Sequence, residues 1–230
     1  MKRAAISRGF SLLELLIVIS VIAVLAVLAS AVLQSGQRKA KAAQCMSRLR
    51  GLGTAIHLYT QEDGEFPRSL HSAGSAGKVP WSRAILPYLG GPSSPSTQDW
   101  AMYFEKYYRC PEDKNRDVNY HSYALNVHFE LRPDGDDYQG APDTWRRPAN
   151  VENASRTILL AEPKPTYFGD HLMCHLWTSA KGPANGLAGT RHDGRSNYLF
   201  VDGHVEALAV TDTFDLVKGT NLWNPSLAGK

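Results

Sequence analysis

From Leu15 to Leu33 the chain runs 19 residues without a charge, and only Ser20 and Ser30 interrupt it with polar groups. As a helix rising about 1.5 Å per residue this segment is roughly 28 Å long, close to the ~30 Å hydrocarbon core of a bilayer. Val and Ile, frequent in it, are poor helix formers in water. In lipid the backbone can bond only to itself, so a lone span is helical. Beyond it the pattern changes rather than stops. Ala43, Met46, Leu49, Leu52, Ile56 and Tyr59 recur at spacings of three and four, and Arg38, Lys41, Arg48 and Arg50 largely avoid their face. The helix therefore continues past the membrane with an apolar stripe that packs on a sheet. A free coiled coil is the weaker reading, because about three heptads interrupted by Gly51 and Gly53 make a short, poor seam. Gly36, Gly51 and Gly53 are expected flex points, and Asp63-Gly64 followed by Pro67 ends the helix.

Residues 68–99 are rich in Ser, Gly and Pro around one apolar island, Trp81 to Leu89, predicted as a short helix between loops. The next segment carries Trp100, Tyr103, Phe104, Tyr107 and Tyr108. Such a cluster can stack bases or sugars, but its commoner use is to fill a core, and that is the expectation here. Ser122 to Glu130 alternates like a strand, Arg132 to Gly140 is a polar turn, and Thr157 to Glu162 reads as a buried strand. Asn197 to Ala209 is the clearest β-signal. Asp202-Gly203 between two strand-like runs predicts a two-residue type I′ hairpin pairing Val201 with His204 and Phe200 with Val205. One long N-terminal helix followed by irregular segments and strands gives an α+β fold, the helix packed on a small antiparallel sheet.

Charge changes the picture only at the N-terminus. Over 230 residues there are 25 Lys and Arg against 22 Asp and Glu, a net of +3 for which Lys2, Arg3 and Arg8 account entirely. The basic excess thus belongs to a short leader and not to a nucleic-acid-binding face. A hydrophobic fraction of 43% excludes wholesale disorder. Ala29-Ser30-Ala31 would suit a signal-peptide cleavage site, but the apolar run is longer than an ordinary signal core and Glu14 sits at its start, where a charge is costly. The stretch Gly9-Phe10-Ser11-Leu12-Leu13-Glu14 resembles the type IV prepilin processing signal. That resemblance implies cleavage after Gly9 by a prepilin peptidase and N-methylation of Phe10. It also implies that Glu14 is an assembly carboxylate, unpaired until a neighbouring subunit supplies its N-terminal ammonium. Arg38, Lys39 and Lys41 beyond the span leave the charge rule for orientation nearly tied. The resemblance places the leader in the cytoplasm and the body outside.

The body carries a second resemblance. Cys45-Met46-Ser47-Arg48-Leu49-Arg50, Gly64-Glu65-Phe66-Pro67, Arg109-Cys110-Pro111-Glu112-Asp113 and Ser122-Tyr123-Ala124-Leu125-Asn126 are followed by His192, nine residues, then Asp202-Gly203. Together they resemble prepilin-type, pseudopilin-like proteins with a processing-associated His-x9-Asp-Gly domain. This implies a pseudopilin or minor pilin and does not imply a catalytic activity.

The residues themselves leave chemistry to be weighed. His192 and Asp202, flanked by Arg191, Asp193 and His204, would be a general base and its orienter if a hairpin joined them. No nucleophile, phosphate-loop or His-Glu-x-x-His motif accompanies them, so Asp202-Gly203 read as turn residues and His192 as a hydrogen bond into the hairpin base. His171, Cys174 and His175 make half a zinc site at best, and strand structure would splay them. Calcium, held in a C-terminal loop by some major pseudopilins, would find Asp134, Asp136 and Asp137 here, without a full ligand pattern. No metal or cofactor is expected. Three cysteines allow three pairings; Cys45–Cys110, tying the loop region to the helix, is preferred, and sequence does not decide.

The expected organisation is a leader (1–9), a transmembrane and assembly helix (10–36), its amphipathic continuation (37–61) and an exported α+β domain (62–230). The expected protein is a structural subunit, single-pass in the inner membrane with its body periplasmic or extracellular. It is processed by a prepilin peptidase and assembled with other pilin or pseudopilin subunits in a type II secretion or type IV pilus-like system. The alternative is a membrane-tethered binding module or enzyme that uses the leader for export.

Overall fold

The helix α1 (Leu12–Asp63) runs 52 residues without a break. The computed structural model describes residues 11–132, 135–136 and 145–230. The chain divides into two compact units, Met1–Ala40 and Lys41–Lys230. In the first unit the apolar side chains of α1 are exposed, Leu12 and Val32 at 89% and 74%. Its two serines bond back to their own helix: Ser20 Oγ donates to the Ile17 carbonyl and Ser30 Oγ to that of Val27, both at 2.8 Å. Neither hydroxyl is left to face lipid with an unmet donor.

In the second unit α1 buries Cys45, Leu49, Leu52, Gly53, Ala55, Ile56 and Thr60, the i, i+3, i+4 set of one face. Met46 and Tyr59 are half-buried at its edges. Two sequence expectations need correction. Ala43 is exposed, because the buried stripe begins at Cys45. Gly53 is not a flex point but a contact. A Cβ there would lie 2.8 Å from Leu199 Cδ1, so the missing side chain lets helix and sheet approach. The helix also passes unbroken through Gly36 and Gly51. It ends at Gly64, whose φ of +81° needs no Cβ and whose N–H bonds the Thr60 carbonyl at 2.9 Å.

The sheet has five strands: β1 (Tyr120–Asn126), β2 (Ile158–Ala161), β3 (Gly169–Leu172), β4 (Ser196–Phe200) and β5 (Val205–Leu208). Their order is β3-β1-β2-β4-β5. β3 lies parallel to β1 and the remaining pairs are antiparallel. This is a pilin-like α+β fold, a long N-terminal helix against a mostly antiparallel sheet. The central strands β2 and β4 are buried along their whole length, as strands covered on both faces must be. Leu199 meets α1, while Tyr198 packs on Trp223 from the C-terminal segment. Asn126 fastens that far layer. Its amide donates to the carbonyls of Ile158 (2.8 Å) and Trp223 (2.7 Å), and its oxygen accepts the His128 N–H and the Cys174 thiol.

Residues 81–89 are helical as expected, an α-turn (Trp81–Ala84) followed by a 3-10 turn (Leu86–Leu89). The aromatic segment forms Thr97–Tyr103 and a π-helical turn Phe104–Tyr108, and Trp100, Phe104 and Tyr108 are buried in the core. The strand expected to reach Glu130 stops at Asn126, where a 3-10 turn (Val127–Glu130) begins. Glu130 turns inward there and accepts from Ser69 N and Oγ and from Ser72 Oγ, holding in place Ser69, whose hydroxyl caps the short helix Leu70–Ala73 by accepting the His71 N–H.

The expected hairpin exists with a different turn. Leu199, not Phe200, pairs with Val205. Val201-Asp202-Gly203 form a three-residue loop, closed by Phe200 N–H to His204 O (2.9 Å) and Gly203 N–H to Phe200 O (3.0 Å). Only Gly203 takes a positive φ (+92°), the arrangement of a type I turn with a glycine bulge. The reason is tertiary: Val201 N–H is held by the Thr157 carbonyl at 2.9 Å, which forbids the tighter turn.

Candidate functional site

At the head of α1, Ser11 and Glu14 cap each other. Glu14 N–H donates to Ser11 Oγ (3.2 Å) and Ser11 N–H donates to Glu14 Oε2 (2.9 Å). Ser-x-x-Glu is the sequence of a capping box, which satisfies two of the orphan donors at a helix start. Among the described residues Glu14 is therefore not a charge without a partner: its carboxylate already accepts the Ser11 N–H. Gly9 and Phe10 lie outside the described residues.

The second concentration of chemistry is buried at the end of β2. Glu162 follows that strand and is fully buried. It accepts the Asn197 N–H at 2.8 Å, and its other oxygen lies 3.0 Å from His192 Nε2. Arg191 donates to the carbonyls of Pro163 (2.7 Å) and Ser122 (3.2 Å) and to Asp113 Oδ2 (3.1 Å), and stands 3.9 Å from Glu162. Asp113 is completed by Ser122 Oγ (2.7 Å) and Asn115 N–H (3.1 Å). Charges removed from water to this degree persist only when paired and hydrogen-bonded, as these are. Against this cluster lies the disulfide Cys45–Cys110, Cα atoms 5.2 Å apart, with Cys110 Sγ 3.6 Å from His192 Nε2.

A tight turn aims His192. Asp193 and Gly194 have φ of +52° and +86°, and His192 and Arg195 exchange both backbone hydrogen bonds at 3.1 Å. The type I′ signature expected of Asp202-Gly203 thus belongs to Asp193-Gly194. His192 and Asp202 are not brought together. They flank opposite ends of β4, and Asp202, exposed, bonds His204 Nδ1 at 2.6 Å. The His171, Cys174 and His175 set does not converge either. His171 is on β3 and bonds Asp170 (3.0 Å), while Cys174 and His175 follow in a 3-10 turn. Cys174 is spent on Asn126, and burial pushes its thiol up to about 12. Asp134 and Asp137 lie outside the described residues, as does the side chain of Asp136.

A cavity of about 170 Å³ opens elsewhere, between Arg83, Trp100, Asn119, His121, Phe168 and Asp170. The Arg83 guanidinium lies 3.9 Å from the Trp100 ring centre. His121, next to Ser82 Oγ at 3.3 Å, is depressed to about 4 by burial, so it is neutral.

Residues 5–30 match the prokaryotic N-terminal methylation motif, and residues 34–172 match the family described as protein of unknown function (DUF1559). The chain belongs to the DUF1559 family. No curated protein and no solved structure matches it. The methylation motif brings peptidase processing, pilin-like export and single-pass anchoring by the N-terminal apolar helix, with the C-terminal domain extracytoplasmic. The DUF1559 segment contains Cys45, Cys110, Asp113 and Glu162, whereas Arg191 and His192 follow it. Sequence reasoning missed Glu162, Asp113 and Arg191 as a group. A charged residue closing the apolar run Thr157–Glu162 of this DUF1559 chain was the one local signal for the first of them.

Proposed function

We propose that this DUF1559 chain is a structural filament subunit of a type II secretion or type IV pilus-like system. It is inserted in the inner membrane, cut after Gly9, methylated at Phe10 and packed with sister pilin or pseudopilin subunits through α1. One observation carries the reading: a 19-residue charge-free run, headed by Glu14, whose large apolar side chains stand exposed. In the membrane lipid covers it. In a filament sister helices do, and Glu14 exchanges its own helix cap for the neighbour's N-terminal ammonium, which sets register. The exported body then works without catalysis. His192 serves Glu162 and the disulfide rather than a nucleophile, in keeping with that reading.

The test is Glu14→Ala in the native host. Filament or secretion-complex assembly is expected to be lost while mass spectrometry still finds a mature chain starting at N-methylated Phe10. Assembly that survives the substitution would favour the second reading, a tethered binding module acting through the cavity rimmed by Arg83 and Trp100.

A further inference from the structure

Four ligand-bearing atoms meet at one buried point. The sulfurs of Cys45 and Cys110, His192 Nε2 and a Glu162 carboxylate oxygen all lie within 4.8 Å of one another. We infer that this is a redox-gated site for a divalent cation of the zinc class. In its oxidised form it is the disulfide. In its reduced form it is a metal site of two thiolates, one imidazole and one carboxylate.

The geometry asks for little beyond the cleavage of one bond. Around tetrahedral zinc, with Zn–S near 2.3 Å and Zn–N or Zn–O near 2.1 Å, ligand atoms stand roughly 3.4–3.8 Å from each other. Cys110 Sγ and His192 Nε2 are already 3.6 Å apart, and His192 Nε2 and the Glu162 oxygen 3.0 Å. The main movement required is separation of the two sulfurs. Each ligand is held by other bonds. The Asp193-Gly194 turn fixes His192, the Asn197 N–H fixes Glu162, and α1 and the 110–113 turn carry the cysteines. Two thiolates and one carboxylate around a dication leave one negative charge, which the Arg191 guanidinium, 3.9 Å from Glu162 and already bonded to Asp113, offsets only in part.

The chemistry balances. A phosphine delivers two electrons to the S–S bond, takes oxygen from water to become a phosphine oxide, and leaves two thiols. The cation then displaces both thiol protons to the buffer, and the proton that Nε2 directs at Glu162 in the oxidised form passes by way of the buffer to Nδ1, which frees the Nε2 lone pair for the metal. Either form ties Cys45 of α1 to Cys110, 65 residues away, so the helix keeps its fastening whether the surroundings are oxidising or reducing.

The experiment uses the full chain in detergent, reduced with a phosphine and titrated with Co(II). One equivalent is expected to give the visible bands of a tetrahedral site and a thiolate-to-cobalt charge-transfer band, both displaced by Zn(II) and absent from the oxidised chain. His192→Ala should weaken zinc binding roughly tenfold or more, and Cys174→Ser should leave the titration unchanged. If reduction unfolds the body, recovery of its circular dichroism on adding zinc supports the site, and failure to recover overturns it. The inference also falls if a folded, reduced chain binds no stoichiometric cobalt. It falls equally if the charge-transfer band survives in Cys45→Ser/Cys110→Ser or vanishes in Cys174→Ser.

Discussion

The two parts of α1 follow the same helical geometry and do opposite things with it. Before residue 40 its apolar side chains are exposed; after residue 41 one face is buried while charged residues keep to the other. The first part leaves its apolar surface to be covered from outside the chain, and the second has already buried its own. Substitutions should therefore read out in different assays, assembly for the first and folding for the second.

Two carboxylates give the largest contrast. Glu162→Ala takes the acceptor from the buried Asn197 N–H and from His192 and leaves Asp113 as the one carboxylate beside Arg191, and losing a buried charged partner of this kind costs about 3–5 kcal/mol. Urea unfolding of the body should show it, while Glu14→Ala leaves the same curve unmoved. Leucines come next. Leu49→Ala removes a fully buried side chain at about 2–5 kcal/mol. Leu25→Ala, 60% exposed, should leave the body's melting curve where it was. A shift of equal size would mean that the two parts fold as one unit.

Acid sharpens the contrast further. Burial holds His121 near 4 and His128 near 3, below the ordinary value of about 6.5. Since the unfolded chain takes these protons first, their contribution is intact above pH ~6.5. It is lost progressively as pH falls toward 4 and then 3, at most about 3 kcal/mol for His121 and about 5 kcal/mol for His128. Urea midpoints measured across that range should decline, and His121→Gln should flatten the upper part of the decline. Glycines give the smallest effect and a change of sign. Gly53→Ala drives a methyl against Leu199 and should cost about 1 kcal/mol or more. Gly51→Ala, with open space around it, should stabilise by about 0.5–1 kcal/mol. Both are read by thermal melting.

What can be read in advance is local. Nineteen uncharged residues, a three-four spacing and Asp63-Gly64 specify α1 without help from the rest of the chain. The Asp-Gly turns show where locality fails. Asp193-Gly194 and Asp202-Gly203 are identical as dipeptides, and only the Thr157 carbonyl reaching Val201 decides that the second takes the wider loop. Gly53 reads as a weak point because the partner that makes it a contact, Leu199, is remote in sequence. The cluster around Glu162 is hidden for the same reason: its members come from residues 45, 110–113, 162 and 191–192, and no window of sequence holds two of its loops. The capping role of Glu14 is written in Ser11-Leu12-Leu13-Glu14, but the prepilin resemblance of the same four residues masks it.

The Asn126–Trp223 bond joins residues 97 positions apart. Trp223 also packs edge-on against Trp177 and Tyr198. Without it, that side of the sheet would lose its cover and the Asn126 amide one of its two acceptors. The sheet and the segment that follows it therefore gain their order together, as one cooperative unit.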